Sequence, residues 1–177
     1  MTERGMKADF RATGQTGIMI SGGGMPIDAV VSDFVSGAAE LLSPANDDDH
    51  WDVIEGQGSL FHPGYSAVTL GLLHGSQPDA FVVCNEVGRE TIDAYPDFPV
   101  PSIEELIKMT VAIGRVTNPD VRCVGVSLIT SSLSEAERHS VLSSTADEIG
   151  LPCVDPVATG VAPIVDYLND TFGGIEQ

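Results

Sequence analysis

Residues 53–66, "VIEGQGSLFHPGYS", place a carboxylate and an imidazole within one short glycine-rich stretch. Glu55 ends an apolar run, and a carboxylate at the end of a strand can hold Mg²⁺ directly or through water. The alternative is that Glu55 only caps the helix that follows. Because polar residues cluster around it, we favour a functional role for Glu55 as a catalytic or metal-binding residue.

His62 lies in the same stretch, two residues before Gly64-Tyr65. A histidine there could act as a general base if a substrate proton lay within hydrogen-bond reach. It could equally be a turn residue that bonds a backbone carbonyl. The residues alone leave both interpretations open.

Two glutamines are bracketed by glycines, one in "TGQTG" (13–17) and one in "EGQGS" (55–59). Glycine lets the backbone approach a ligand closely, and its free amides can bind phosphate or carboxylate oxygens. These two loops therefore predict a binding site for a substrate or cofactor. Its candidate residues are Gln15, Thr16, Gly17, Gln57, Gly58 and Ser59.

Two further stretches carry weaker signals. In "NEVGRE" (85–90), Glu86 and Arg89 could bind a charged group of a substrate, or could form a surface ion pair that contributes little. Gly22-Gly23-Gly24 precedes a predicted helix and could form an anion site at its N-terminus, although a flexible turn is the simpler interpretation. Asp28 lies near the same helix start, as a ligand-binding or a capping residue.

Apolar strand-like runs alternate with amphipathic segments along the chain. The predicted strands are 8–13, 51–55, 79–85, 122–130 and 152–156, and the predicted helices are 27–42, 66–75, 102–116, 134–150 and 162–172. This alternation predicts an α/β fold, a three-layer parallel sheet with helices on both faces, in a single domain over residues 1–177. Ligands bind at the carboxyl ends of such strands, so we expect the loops after the first three strands to share one edge.

Local signals define several ends. Ser102 with Glu105 has the spacing of a capping box, Ser134 is a second serine cap, and Gly75 is predicted to end its helix. Residues 17–20, "GIMI", are a short apolar piece, and 87–101 form a proline-rich loop. "MTERG" (1–5) is typical of the last turn of a helix, which suggests that the chain begins partway through a fold.

The charge of the chain is strongly acidic. Its 26 Asp and Glu residues against 8 Lys and Arg residues give a formal net charge of −18. A nucleic-acid partner is excluded because phosphate binding needs a basic patch. A well-solvated acidic surface beside an aliphatic core is typical of a halophile, so we expect a salt-loving host. With neither a signal peptide nor an apolar run of membrane-spanning length, the expected location is the cytoplasm, without a membrane partner.

The three cysteines, Cys84, Cys123 and Cys153, are far apart and are predicted to be small buried thiols. The chain contains none of the patterns GxxxxGK[ST], GxSxG or GxGxxG. From the residues alone, the prediction ends at an α/β domain with a polar, glycine-rich edge that could bind an anion and Mg²⁺.

Three long segments together resemble one family. They are "ATGQTGIMISGGGMPIDAVVSDFVSGAAE", "VIEGQGSLFHPGYSAVTLGLLHGSQPDAFVVCNE" and "GLPCVDPVATG". The family is described as D-glutamate N-acetyltransferase-like, formerly of unknown function. "VIEGQGSL" is also similar to "EGAGG" of dethiobiotin synthetase, a P-loop ATP-dependent ligase, which implies a P-loop NTPase-like fold.

The resemblance implies an N-terminal Rossmann-like domain followed by a C-terminal P-loop domain, and transfer of an acetyl group from acetyl-CoA to the amine of D-glutamate. The positions that match the family's motifs are Gln15, Thr16, Asp28, Glu55, Gln57, Ser59, His62 and Glu86. Under this interpretation Glu55 or His62 is the base, glycine-loop amides stabilise the oxyanion, and Arg89 holds a substrate carboxylate. Mg²⁺ and a nucleotide are further candidate ligands.

The chain also departs from the family. The family's P-loop domain opens with a strand and a "GTD…GK" phosphate loop, whereas this sequence starts inside the helix that follows them. We therefore expect a truncated domain that binds nucleotide or CoA phosphates poorly alone. The exposed sheet edge favours a homo-oligomer. Two alternatives stay open: an ATP- and Mg²⁺-dependent ligase or kinase-like enzyme, and an inactive binding or assembly subunit.

Overall fold

The computed structural model describes residues 1–173 and divides the chain into two compact units. Unit 1 comprises Met1–Pro78 with Ala112–Pro119, and unit 2 comprises Asp79–Val111 with Asp120–Gln177. Both units combine parallel strands with helices, which confirms the predicted α/β class. Within residues 1–173, no helix is long and apolar enough to cross a membrane.

Unit 1 is built on two parallel strands, β1 (Lys7–Arg11) and β2 (His50–Ile54). A short 3₁₀ turn, Thr2–Arg4, precedes β1 and ends at Gly5, whose φ of 78° is left-handed. Pairing continues past the ladder, because the amide of Glu55 donates to the carbonyl of Arg11 at 2.9 Å. The parallel register therefore brings the loops after β1 and β2 side by side.

The helices of unit 1 are α1 (Gln15–Ser21), α2 (Val35–Glu40) and α3 (Ser66–Ser76). Their apolar side chains form one core, made of Ile27, Val35, Ala39, Leu42 and Leu72. The apolar piece 17–20 lies inside α1. The partly buried Ile54, at the end of β2, packs against this core. The core therefore lies next to the loop that follows β2.

The predicted continuous helix over 27–42 is wrong. The segment forms two 3₁₀ turns, Ile27–Ala29 and Ser32–Phe34, before the short helix α2. Between the turns, Val30 and Val31 have extended backbones, with ψ of 137° and 134°. Two successive β-branched residues followed by serine and aspartate lower the local helix propensity, although the apolar spacing was helical.

The prediction that Gly75 ends α3 is wrong. The helix continues to Ser76, and the left-handed residue is Gln77, with φ 47° and ψ 52°. A Cβ on Gly75 would lie 2.1 Å from the carbonyl oxygen of Ser36, and one on Gly71 would lie 2.3 Å from Cγ1 of Val35. These glycines therefore allow α3 to pack closely on α2.

Unit 2 contains a three-stranded parallel sheet and a small antiparallel hairpin. Its strands are β3 (Ala80–Glu86), β4 (Thr91–Ile92), β5 (Tyr95–Pro99), β6 (Arg122–Ile129) and β7 (Cys153–Val154). The parallel order is β3-β6-β7, while β4 pairs with β5. The hairpin lies in the segment predicted as a loop, where prolines masked its strand character.

Three helices begin in unit 2, namely α4 (Ile103–Gly114), α5 (Glu135–Ile149) and α6 (Ala162–Phe172). The last residues of α4 belong to unit 1. Capping signals in the sequence predict the starts of α4 and α5, whereas α6 has no side-chain cap. Ser102 and Glu105 bond reciprocally ahead of α4, and Ser134 forms a complete capping box with Glu137 ahead of α5. Val126, Leu128 and Leu142 form a core cluster between β6 and α5.

The cysteines differ from the prediction that all three are buried. Cys123 is buried and Cys153 is half-buried, but Cys84 is exposed. All three are free thiols. Burial raises the pKa of Cys153 to about 11, so that thiol is protonated at neutral pH.

Candidate functional site

The carboxylate of Glu55 is the centre of a hydrogen-bonded cluster in unit 1. Its Oε2 accepts the backbone amide of Thr13 at 2.8 Å and that of Gly14 at 3.0 Å. The fully buried Thr13 donates its hydroxyl to the carbonyl oxygen of Glu55 at 2.9 Å. Charge-assisted bonds from two amides therefore fix one carboxylate oxygen against the loop after β1.

Glu55 thus binds amides that were predicted to be available for ligand oxygens. Thr13 and Gly14 directly precede α1, whose first amides lack helical partners. The carboxylate also does not cap the helix that follows it, because α3 begins at Ser66 and has no side-chain cap. The prediction that Glu55 caps the following helix is therefore wrong, because its carboxylate binds two amides that precede α1.

Gly17 is required for this arrangement. A Cβ on Gly17 would lie 2.3 Å from Oε2 of Glu55 and 3.0 Å from Oε1. A Cβ on Gly14 would lie 2.5 Å from Nε2 of Gln57. The two glycines therefore make room for the side chains of the second loop.

Gln57 joins the same cluster from the second loop. Its side-chain Nε2 donates to the hydroxyl of Thr13 at 2.9 Å. Its backbone carbonyl oxygen accepts the hydroxyl of Thr69. Gly58 has a left-handed φ of 52°, and a Cβ there would lie 3.2 Å from Cβ of Tyr65. The loop after β2 is therefore anchored to the loop after β1 and to α3.

His62 has the geometry of a turn residue. Its Nδ1 accepts the backbone amides of Gly64 and Tyr65, each at 3.1 Å, and its ring lies 4.5 Å from that of Tyr65. A nitrogen that accepts two amides carries no proton, so the proton of the neutral ring is on Nε2. The structural alternative is favoured, with amides as the partners rather than the expected carbonyl.

The remaining candidates of unit 1 lie outside the hydrogen-bonded cluster. Gln15 and Thr16 are exposed in the first turn of α1. Ser59 accepts the amide of Phe61 at 3.2 Å, which shapes its own loop. Asp28 is exposed in the turn Ile27–Ala29, and that turn has no side-chain cap, so Asp28 does not cap it.

Glu86 and Arg89 form an ion pair three residues apart in unit 2. Both side chains are nearly half exposed, at 41% and 47%. This geometry is that of a surface ion pair, the second of the two interpretations that the sequence allowed. Such exposed pairs contribute little to stability.

Glu55 was also predicted as a metal ligand. In residues 1–173, no group of three or more His, Cys, Asp and Glu side chains is placed to hold a metal ion. Glu55 therefore offers Mg²⁺ a single carboxylate, one of whose oxygens already accepts two amides. Because Mg²⁺ commonly binds through one or two carboxylates and several waters, the metal role of Glu55 stays a prediction.

A second cluster lies at the carboxyl ends of β6 and β7, and its residues were not among those predicted from the sequence. Asp155 is 5% exposed, and its Oδ2 accepts the amide and the hydroxyl of Thr130, at 3.1 and 2.5 Å. Its Oδ1 accepts the amides of Val157 and Ala158, at 2.9 and 3.0 Å. Arg138 donates from Nε to the hydroxyl of Thr130 at 2.8 Å.

These donors lower the pKa of Asp155 to about 2, with the Thr130 hydroxyl as the largest cause. The carboxylate is therefore ionised at neutral pH and binds the end of β6 to the loop after β7. A sequence signal existed, because Asp155 lies in the quoted segment "GLPCVDPVATG", directly after the last apolar strand. An acid at that position is typical of ligand-binding edges of parallel sheets.

Comparison with protein families gives one match that covers most of the chain. Residues 1–165 match the model described as "Domain of unknown function (DUF1611_C) P-loop domain". The match includes the Glu55 cluster of unit 1 and the Asp155 cluster of unit 2. It therefore covers both sets of polar residues.

Two curated proteins are similar to nearly the whole chain. Proteins named D-glutamate N-acetyltransferase from Tritonibacter scottomollicae and from a Pseudoalteromonas species are each 50% identical over 168 residues. These alignments cover 95% of this chain but 50% and 51% of those proteins. The chain thus spans about half the length of the curated relatives it matches.

A solved structure shows the same fold. The crystal structure of a DUF1611 family protein from Anabaena variabilis superimposes with a TM-score of 0.88 and 36% sequence identity. The match covers 96% of this chain and 50% of that one.

Proposed function

The chain belongs to the DUF1611 family through its P-loop domain, and from that premise we propose that it forms part of an N-acetyltransferase. The reaction transfers an acetyl group from acetyl-CoA to the amine of an acidic amino acid such as D-glutamate. The observation that carries this proposal is the high identity, along nearly the whole chain, to two proteins named D-glutamate N-acetyltransferase. The P-loop domain is then the half of the enzyme that contains the Glu55 cluster.

The transfer needs a proton acceptor, because an ammonium group cannot attack a thioester. As the amine bonds to the carbonyl carbon, the C–S bond breaks, CoA leaves as the thiolate, and the amine loses a proton. Glu55 suits the acceptor role better than His62. Within residues 1–173, Oε1 of Glu55 has no hydrogen-bond partner, whereas Nδ1 of His62 accepts two amides.

The loop after β2 also offers donors for the oxyanion that forms on the thioester carbonyl. The amides of Gly56, Gln57 and Gly58 have no partner among residues 1–173. Amides held in a fixed loop stabilise such a charge without reorganising. In this proposal the amides of the loop after β2 stabilise the oxyanion, because the amides of Thr13 and Gly14 already bind Glu55.

A CoA-release assay with D-glutamate and acetyl-CoA tests the activity, with the Tritonibacter relative as the positive control. The 177-residue chain is assayed alone and fused to the part of that relative that the alignment does not cover. We expect thiol release that depends on D-glutamate in the fusion. Its absence in both forms, with either glutamate enantiomer, would refute the proposal.

Substitution of Glu55 separates its role from that of the fold. Glu55→Gln in the active fusion keeps the shape but removes the proton acceptor, so kcat should fall by about 10²-fold or more. Glu40→Gln, an exposed acid of α2, is the matched control and should leave kcat unchanged. Equal kcat values for Glu55→Gln and the parent would remove Glu55 from the mechanism.

A second candidate function rests on the P-loop description of the matching family model. An ATP- and Mg²⁺-dependent ligase or kinase-like enzyme would hydrolyse nucleotide in a way that Glu55→Gln abolishes. Hydrolysis that persists in that variant would count against it. A third outcome, a folded oligomer without turnover of any kind, would indicate a binding or assembly subunit.

A further inference from the structure

Unit 2 contains a cavity that neither proposed reaction uses. Its volume is about 330 Å³, and it lies between α5 and the segment after β7. Its lining includes the apolar residues Leu142, Ala146 and Ala158, together with Arg138 and the exposed His139. The volume falls in the range of roughly 300–1,000 Å³ that is typical of small-molecule pockets. The cavity adjoins the carboxyl end of β7, the edge where parallel sheets bind ligands.

Arg138 lines this cavity without a carboxylate partner among the described residues. It is half-buried, and its only hydrogen-bond partner among residues 1–173 is the neutral hydroxyl of Thr130, which Nε contacts. No carboxylate of those residues lies within 4.0 Å of its guanidinium nitrogens. Four other cations form ion pairs with carboxylates, namely Lys7, Arg11, Arg89 and Lys108. The two terminal nitrogens of Arg138 therefore keep their donors for a ligand.

Asp155 is near but does not neutralise Arg138. Each of its carboxylate oxygens already accepts two donors, from Thr130 on one side and from Val157 and Ala158 on the other. Asp155 therefore acts as a positioning residue. It holds the hydroxyl that orients Arg138 and the backbone of Ala158 that forms part of the cavity wall.

We propose that this cavity binds a small molecule that carries one oxyanion group, a carboxylate or a phosphate, on a short aliphatic body. The guanidinium fork of Arg138 matches the two oxygens of such a group, and His139 adds a second donor. Leu142 and Ala146 would contact the aliphatic body. Glu135 also lines the cavity, which disfavours ligands with several negative charges.

Nuclear magnetic resonance titration of the 177-residue chain tests this site without any turnover, so its failure would leave the acetyl-transfer proposal intact. The probes are propionate, butyrate and inorganic phosphate. We expect saturable shifts at the methyl groups of Ala146 and Ala158 and at the ring of His139. Saturation by butyrate or propionate identifies a carboxylate ligand, and saturation by phosphate alone identifies a phosphate ligand.

Two variants and one control make the test specific. Arg138→Gln keeps an N–H donor but removes the charged fork and should weaken binding about tenfold or more. If its spectrum shows loss of the fold, His139→Gln serves instead and should weaken binding several-fold. Arg115→Gln, an exposed arginine of unit 1, changes the net charge equally and should leave binding unchanged. The absence of saturable shifts with all three probes, or equal affinity in the Arg138 and Arg115 variants, would overturn the proposal.

Discussion

At the scale of single residues, the environment of Glu55 depends on atoms that are distant in sequence. Its Oε2 is bound by amides 41 and 42 positions upstream. Gly17 makes this possible because any side chain there would occupy the place of the carboxylate. A substitution at Gly17 therefore tests the position of Glu55 without changing Glu55 itself.

Gly17→Ala is expected to displace the Glu55 carboxylate and to free the amides of Thr13 and Gly14. The displaced group is the end of a flexible side chain, so the fold should survive with a loss of about 1–3 kcal/mol. Amide hydrogen exchange should show faster exchange at Thr13 and Gly14. Gly23→Ala, where a Cβ would meet nothing within 4 Å, is the control. Unchanged protection of both amides in Gly17→Ala would contradict the proposed geometry.

Asp155 gives a prediction about pH. Its pKa is lowered from 3.8 to about 2 in the folded chain, so its stabilising contribution is present above about pH 4 and is lost as the pH falls towards 2. Asp155→Asn removes this contribution and places an amide donor against other donors, which should cost about 3 kcal/mol at pH 7.

Urea unfolding of both chains from pH 7 to pH 2 measures this effect. The difference in unfolding free energy between parent and Asp155→Asn should shrink as the pH falls from about 4 to about 2. Asp170→Asn, an exposed acid, is the control for the general effect of one charge. A difference that stays constant over this interval would show that the ionised Asp155 does not provide the stabilisation.

At the scale of elements, the packing of α2 and α3 depends on glycines that face the partner helix. Gly71 and Gly75 are one turn apart on α3 and approach Val35 and Ser36 of α2. Gly37 of α2 has open space around its Cα instead. A Cβ at Gly71 or Gly75 would therefore clash with α2, whereas a Cβ at Gly37 would meet nothing within 4 Å. Substitution at Gly75 and at Gly37 can distinguish the two cases.

Gly75→Ala should destabilise the chain by about 1–3 kcal/mol, because the new methyl group meets a backbone oxygen that cannot move alone. Gly37→Ala should instead stabilise it by roughly 0.5–1 kcal/mol, because alanine loses less backbone entropy in a helix. Denaturant midpoints of the two variants measure the difference. The same sign for both would mean that α2 and α3 do not pack as closely as described.

At the scale of the whole molecule, the net charge of −18 sets how stability responds to salt. Like charges distributed over the surface repel, and the repulsion is greater in the folded chain than in the expanded one. Salt shortens the screening length from about 10 Å at 0.1 M to about 3 Å at 1 M. A salt-loving host stays a prediction, but the physical effect can be measured on the isolated chain.

We expect the Tm to rise by about 5 °C between 0.1 and 1 M NaCl, which corresponds to about 1–2 kcal/mol for a chain of this size. Asp48→Asn removes one exposed charge from the run 47–49 and should raise Tm at low salt more than at high salt. Scanning calorimetry in NaCl, with sucrose to control for solute exclusion, provides the measurement. A Tm that falls with added NaCl would contradict the charge-repulsion argument.

Local signals predicted most of the elements. Ser134 and Glu137 bond across one helical turn, so their capping box could be identified from four residues of sequence. Where a choice depended on partners outside the segment, prediction was weaker. Gly75 looked like a helix end because glycine often ends helices, but contact with Ser36 required glycine inside the helix.

The candidate site divides in the same way. The sequence by itself determined the α/β class, the alternation of strands and helices, and the glycine-rich loop that contains Glu55 and Gln57, because these follow from periodicity and residue type. Only the tertiary structure decided that Glu55 binds the amides of Thr13 and Gly14, and that Asp155 orders Thr130 beside Arg138. Those contacts join segments 8 to 42 residues apart. Strand register and helix packing specify them, and neither can be derived from one stretch of sequence.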